Sequence, residues 1–228
     1  MSSSKKGRFE EKDAILSLYE IVKGVRILHK KGIMHRDLNL ENIFLKEGRC
    51  VIGDFGSATM NEWSDTSWVG TPEYRAPEVF KARERFEYNK QADIWSIGVM
   101  FHEMVYGKRP YEGDINQLLN IIEKEPYKAP QGLSISKDTK DLLIKMLVTN
   151  PRKRIKIEEV FQHQLFSRLR RGENKAQDIK EVKEELNVAD ETHQVGSNPN
   201  KKKIFSKKNF IEIFIVILLC WILVKILI

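Results

Sequence analysis

Two apolar runs of three residues, at 43–45 (Ile-Phe-Leu) and 50–52 (Cys-Val-Ile), are separated only by Lys46-Glu47-Gly48-Arg49. Runs so short, joined across a glycine-bearing turn, read as a small β-hairpin. A hairpin constrains more of the chain than its own strands. HRDLNLEN (residues 35–42) leads into it and DFG (54–56) leads out, so an antiparallel pair carries both polar stretches to the same end. Neighbours in sequence become neighbours at one site.

Around the hairpin the pattern is helical. Leu18, Ile21, Val22, Val25 and Leu28 recur at helical spacing, which predicts a helix over residues 13–30 that Gly32 stops. Further helices are expected over 92–105, 116–123, 138–147 and 157–161, with Leu142, Leu143, Met146 and Leu147 forming a core-facing stripe. The expected fold is mostly α with one small hairpin, occupying residues 1–170. After that the composition changes. Residues 171–209 are polar and basic, the mark of a solvated tether with a short helix around 179–186. Residues 210–228 are almost wholly apolar. No internal repeat is present.

Charge and tail belong together. Lys201, Lys202, Lys203, Lys207 and Lys208 supply most of the net charge of +7, so the body is nearly balanced. A basic cluster beside an apolar segment suits the cytoplasmic flank of a membrane span and argues against a nucleic-acid partner. As a helix, FIEIFIVILLCWILVKILI rises about 28 Å, close to the hydrocarbon thickness of about 30 Å. Glu212 and Lys225 lie near its ends, and Trp221 suits the far interface. A helix packed on the body normally keeps a polar face, which this segment lacks. The expectation is a single-pass C-terminal transmembrane helix, with the body facing the cytosol. The two cysteines, Cys50 and Cys220, form no metal or disulfide framework. The start, MSSSKKGRFEEKD, lacks the apolar core of a secretory signal.

The polar stretches suit one chemistry in particular. In-line phosphoryl transfer needs a carboxylate to orient and deprotonate the attacking hydroxyl, and oxygen ligands to hold magnesium on the phosphates. Asp37 can be the first, and Asn42 with Asp54 the second. Taken singly, each is more simply a turn former or a cap. The ordered set says more. His35-Arg36-Asp37-Leu38 with Asn42, then Asp54-Phe55-Gly56, then Ala76-Pro77-Glu78 resemble the signatures of the eukaryotic protein kinases, in their order. Gly70-Thr71-Pro72-Glu73 resembles the serine/threonine branch, and Asp93-Ile94-Trp95-Ser96-Ile97-Gly98 opens a helix as in that family. The match covers roughly residues 5–170.

The resemblance implies the larger, C-terminal kinase lobe, with Mg²⁺ and ATP as cofactors and a protein as substrate. It implies Asp37 as catalytic base, with Asn39 and Thr71 beside it at the reaction centre, and Asn42 and Asp54 as magnesium ligands. Arg36 is the expected receiver of an activation-segment phosphate, with Thr66 or Ser67 as acceptors. His35 and Phe55 resemble members of the apolar stack between lobes. Asp93 is expected beneath the catalytic loop, and Glu78 with Arg154 as a partly buried ion pair.

Two departures qualify this. Asn39 stands where the serine/threonine branch usually has a lysine that meets the transferred phosphate, and Leu40 stands where proline is common. A neutral amide cannot supply the same field to developing negative charge. Second, no Gly-rich phosphate loop, V-A-I-K-like lysine or partner glutamate precedes HRDLNLEN, so the small lobe that roofs ATP is missing from this sequence. Three accounts stay open: a fragment of a longer product, a half-kinase scaffold covered by a partner, or a lobe completed by another chain. The floor it leaves should expose apolar surface around Phe55.

Overall fold

The computed structural model describes residues 7–61, 69–84 and 88–173. All fall in the first of the two units into which the chain divides, Met1–Lys175 and Ala176–Ile228. The expected tether beyond residue 173 and the expected membrane segment lie outside the described residues. Among the described residues no helix is long and apolar enough to cross a membrane.

Helix α1 (Glu11–Lys30) buries Leu18, Ile21, Val22 and Val25, the stripe expected from their spacing. It starts two residues earlier than that stripe requires, for a tertiary reason. The Glu11 carboxylate accepts from Ser136 N–H at 3.0 Å and Thr139 Oγ1–H at 2.7 Å, stapling the start of α1 to the start of a later helix. Burial pushes the Glu11 pKa up, but these bonds outweigh it and hold the group below the usual carboxylate range.

Strands β1 (Ile43–Lys46) and β2 (Arg49–Ile52) pair antiparallel in the register Ile43↔Ile52, Phe44↔Val51. Glu47 and Gly48 both take positive φ, 51° and 77°, the signature of the two-residue turn whose twist matches a hairpin. Alternation then divides the side chains. Ile52 packs so closely on α1 that a Cβ at Gly24 would fall 2.8 Å from its Cδ1. Phe44 and Val51, on the opposite face, are 54% and 43% exposed.

The short helix α2 (Pro77–Phe80) precedes α3 (Gln91–Tyr106), which is buried around nearly its whole circumference by Ile94, Trp95, Ile97, Met100 and Phe101, as befits a central core helix. Of the helices that follow, α4 (Ile115–Lys124), α5 (Lys137–Met146) and α6 (Ile157–Gln162), α5 packs on α3, α6 on α1 and α4 on α2. Asp114 and Ser136 cap α4 and α5 through their side chains. The expected spans agree with these to within one or two residues. The result is a mostly helical body with one two-stranded sheet among the described residues, its core drawn largely from α1, α3 and α5, with Leu118 and Ile122 of α4, Val160 of α6 and Phe166.

Candidate active site

The loop between α1 and β1 is fixed from below by one carboxylate. Asp93, on the first turn of α3 and 1% exposed, accepts from His35 N–H at 3.0 Å, Arg36 N–H at 2.9 Å and the His29 ring at 2.8 Å. Burial pushes its pKa up, but the His29 ring and the two backbone amides reverse this and leave it lowered. These bonds hold Arg36 at φ 72°, a left-handed conformation unfavourable for a side-chain-bearing residue. Arg36 Nε donates to the Ser57 carbonyl. A two-residue bridge, with Met34 and Thr59 exchanging both backbone bonds at 2.8 and 2.9 Å, ties the stretch after DFG to the stretch before HRD.

Asp37 follows Arg36 and is oriented from above. Its Oδ1 accepts from Thr71 N–H at 2.9 Å, Thr71 Oγ1–H at 2.8 Å and Asn39 Nδ2–H at 3.0 Å. Thr71 can approach because Gly70 takes φ 79° where a Cβ would clash with the Arg36 carbonyl oxygen, so both φ and close contact demand glycine there. Asn39 caps the 3-10 turn Leu40–Asn42, its Oδ1 accepting from the amides of Glu41 and Asn42 at 2.9 and 3.0 Å.

The hairpin then does what its position promised. Asn42 Nδ2 donates to the Asp37 carbonyl at 2.9 Å, turning its carboxamide oxygen away from that bond. Gly53 N–H donates to the Asn42 carbonyl at 2.9 Å and Gly53 C=O accepts from His35 Nε2–H at 3.0 Å, so Asp54 leaves the hairpin beside Asn42. Asp54 has φ 53° and its exposed carboxylate accepts from Gly56 N–H at 3.1 Å. Among the described residues no group of three or more His, Cys, Asp or Glu gathers as a metal site. One carboxamide and one carboxylate oxygen nevertheless match the donor set of Mg²⁺, which takes few protein ligands and keeps waters and phosphate oxygens. The residues fit that ion.

The remaining expectations are met unevenly. His35 and Phe55 are in ring contact at 5.0 Å, with Phe55 47% exposed. Arg154 grips Glu78 through two bonds, Nη1 to Oε1 at 2.6 Å and Nη2 to Oε2 at 2.9 Å. Thr66 and Ser67 lie outside the described residues. Three contacts had no signal in the sequence: His29 beneath Asp93, the Met34 and Thr59 bridge, and Arg75, whose Nη2 donates to the Gly70 carbonyl at 2.7 Å. Each joins residues far apart in the chain or buries a group whose residue type is ordinary on a surface.

The family model described as "Protein kinase domain" matches residues 1–166. The chain belongs to the protein kinase family. Its relatives include serine/threonine kinases. It is 38% identical to fatty acyl-CoA synthetase and RNA processing-associated kinase 1 of Saccharomyces cerevisiae, over 70% of this chain and 20% of that protein. It is 38% identical to serine/threonine-protein kinase SRK2C of Arabidopsis thaliana, over 70% of this chain and 49% of that protein. It is 34% identical to serine/threonine-protein kinase PLK4 of Drosophila ananassae, over 83% of this chain and 24% of that protein. The chain thus spans from about a fifth to about a half of these relatives' length. Kinases of this family generally use ATP and Mg²⁺ and act on proteins.

Proposed function

We propose that this chain supplies the large lobe of a membrane-anchored serine/threonine kinase, transferring the γ-phosphoryl group of Mg·ATP to a protein hydroxyl when a small lobe covers the hairpin. That small lobe comes from sequence ahead of residue 1 or from another chain. The observation that carries the reading is the fixed Asp37 carboxylate, held through Oδ1 by Thr71 and Asn39, with Asn42 bonded to the Asp37 carbonyl and Asp54 following Gly53, whose amide is bonded to Asn42. Asp37 orients the substrate hydroxyl and takes its proton. Asn42 and Asp54 hold magnesium, which when bound offsets the charge of the phosphates. Arg36 receives a phosphate on the segment bearing Thr66 and Ser67. Asp93, His35, Phe55, Glu78 and Arg154 are structural supports.

The test is nucleotide binding by the whole chain in mild detergent with a small kinase lobe supplied. A ligand at a hundredfold excess over its Kd stabilises the folded state by about 2.7 kcal/mol, so Mg·ATP should raise the melting temperature and Asp54→Asn should abolish the rise. No shift at millimolar nucleotide with that lobe present overturns the reading.

Residues 210–228 serve in this reading as a single-pass anchor, with 171–209 as the tether and residues 1–170 in the cytosol. Its support is the length and apolarity of the tail and the lysines ahead of it. Release of the chain from membranes by alkaline carbonate, or digestion of a C-terminal tag by protease added to sealed vesicles, would count against it.

A second reading is a pseudokinase-like scaffold on the membrane surface. It is favoured by the neutral Asn39 and by the outward hairpin face of Phe44 and Val51 together with Phe55, each more than 40% exposed. Under it, Asp37→Ala and Asp54→Ala leave partner recruitment intact, whereas Phe44→Asp removes it.

A further inference from the structure

Where α1, the start of α6 and the helical residues 167–173 meet, the surface carries more positive charge than its acids offset. Lys23 is bonded to Glu20 and to Glu173, each at 2.7 Å. Arg26 and Lys30 share Glu158 at 2.6 and 3.8 Å. Burial pushes the Glu173 pKa up, but bonds from Lys23 and Tyr19 and the nearby charges of Lys23 and Arg49 leave it lowered, which places Arg49 on the same face. Arg170 and Arg171 differ from the rest, because their partners are carbonyls. Arg170 donates to those of Phe161, His163 and Gln162 at 2.6, 3.0 and 3.0 Å, closing the C-terminal end of α6. Arg171 Nε donates to the Ser167 carbonyl at 3.3 Å. Neutral acceptors fix a guanidinium without cancelling its charge. Of the charged groups so linked, six are cations and three are carboxylates.

A cleft of about 420 Å³ opens in this face. Arg170, Arg171, Gln162 and Ser167 line it beside the stacked rings of Tyr19 and Phe161, whose centres are 5.7 Å apart. Its one acid, Glu173, spends both carboxylate oxygens on Tyr19 Oη–H at 2.6 Å and Lys23 at 2.7 Å. Among the described residues nothing takes the Nη groups of Arg171, which remain donors for an anion. Sequence position says which anion. The described chain leaves the cleft at Glu173, and residues 174–209 lead from there to Lys207, Lys208 and the apolar run at 210–228.

We propose that this basic face docks the body on an anionic membrane surface, with a lipid headgroup phosphate in the cleft against Arg171. The proposal rests on the reading of residues 210–228 as an anchor. Each basic side chain near such a surface strengthens binding roughly fivefold, so an excess of three favours the docked body by about a hundredfold over a neutral surface.

The test places the whole chain on phosphatidylcholine vesicles, either neutral or carrying about one-third phosphatidylserine, and follows amide hydrogen exchange. On the anionic vesicles residues 167–173 should exchange at least about fivefold more slowly than on the neutral ones, and high salt should abolish the difference. Arg171→Glu changes the charge by two and should weaken docking about thirtyfold, returning exchange to the neutral-vesicle value. Because Arg171 belongs to the helix being measured, Arg49→Glu in the hairpin gives the same readout from outside it. Lys128→Glu, an equal change between α4 and α5, should leave the slowing in place. Lys207 and Lys208 are present in every variant, so their own attraction to the vesicles cancels.

Absence of slowing on anionic vesicles, or slowing that survives both Arg171→Glu and Arg49→Glu, overturns the proposal. Equal slowing by millimolar inorganic phosphate in detergent makes the cleft a soluble-anion site and overturns it as well. A chain that does not float with neutral vesicles removes the anchor reading instead. If that chain still binds anionic vesicles and loses the binding in Arg49→Glu, the docking face stands; if it does not, the face falls with the anchor.

Discussion

Glu78 and Arg154 offer the sharpest test of how this lobe is fastened. The Arg154 side chain is fully buried and Glu78 is 11% exposed. Besides its two bonds to Glu78, the guanidinium donates to the carbonyls of Val148, Gln91 and Thr149 at 2.9, 2.6 and 3.2 Å, and it lies 5.1 Å from the centre of the Trp95 ring. Glu78→Gln keeps the shape but leaves a buried cation without its counter-charge. Removing one member of a buried pair costs roughly 3–5 kcal/mol. The three carbonyls that remain set the loss at the lower end, about 3 kcal/mol, against a total stability of about 5–15 kcal/mol. For a body of this size that lowers the melting temperature by roughly 6–12 °C. Arg154→Met should cost a similar amount by stranding Glu78. The double variant should lose less than the sum, because neither charge is then left alone. Urea unfolding followed by tryptophan fluorescence measures all three, with Trp95 reporting from the site itself. A Glu78→Gln loss under about 1 kcal/mol, additive with Arg154→Met, would place the pair among weak surface pairs and refute the claim that it fastens α2 to the lobe.

Gly70→Ala should destabilise the body by roughly 1–3 kcal/mol, from a left-handed backbone and a clash with the Arg36 carbonyl, read as a fall in melting temperature. Burial pushes the His102 pKa down to about 4, so the folded state favours the neutral ring. Between the ordinary histidine value and that pH the unfolded chain binds a proton that the folded chain does not, and stability falls as pH falls, by up to about 3 kcal/mol; His102→Gln should flatten the slope in a pH series of melting temperatures. Asp93 behaves as a lowered carboxylate: its contribution is present above the unfolded carboxylate pKa and lost as pH falls through the folded one. Asp93→Asn should therefore remove part of the acid-unfolding slope below about pH 4. Phe44→Asp should leave melting within about 0.5 kcal/mol of wild type while reducing self-association seen by light scattering, since Phe44 is 54% exposed.

Local rules made much of this molecule readable before its coordinates. The hairpin follows from two short apolar runs about a Glu-Gly turn, and each helix from its own spacing, because those signals are complete within a few residues of chain. The placement of Asp37, Asn42 and Asp54 was legible for the same reason, each lying a short stretch from one end of the hairpin. His29 was not, since its partner Asp93 is 64 residues away and a histidine in the last turn of a helix is ordinary surface chemistry. Asn39 shows why residue type alone misleads. Compared with a lysine it is a deficit of charge; placed in its contacts it is an acceptor for two amides and a donor to two oxygens, a combination lysine cannot supply. Whether this lobe works with less field on the phosphate or with a more firmly held base is therefore a question about geometry at Oδ1 of Asp37. The two effects oppose each other: the missing ammonium weakens charge stabilisation in the transition state, while the bonds from Asn39 and Thr71 lower the cost of orienting the base before it.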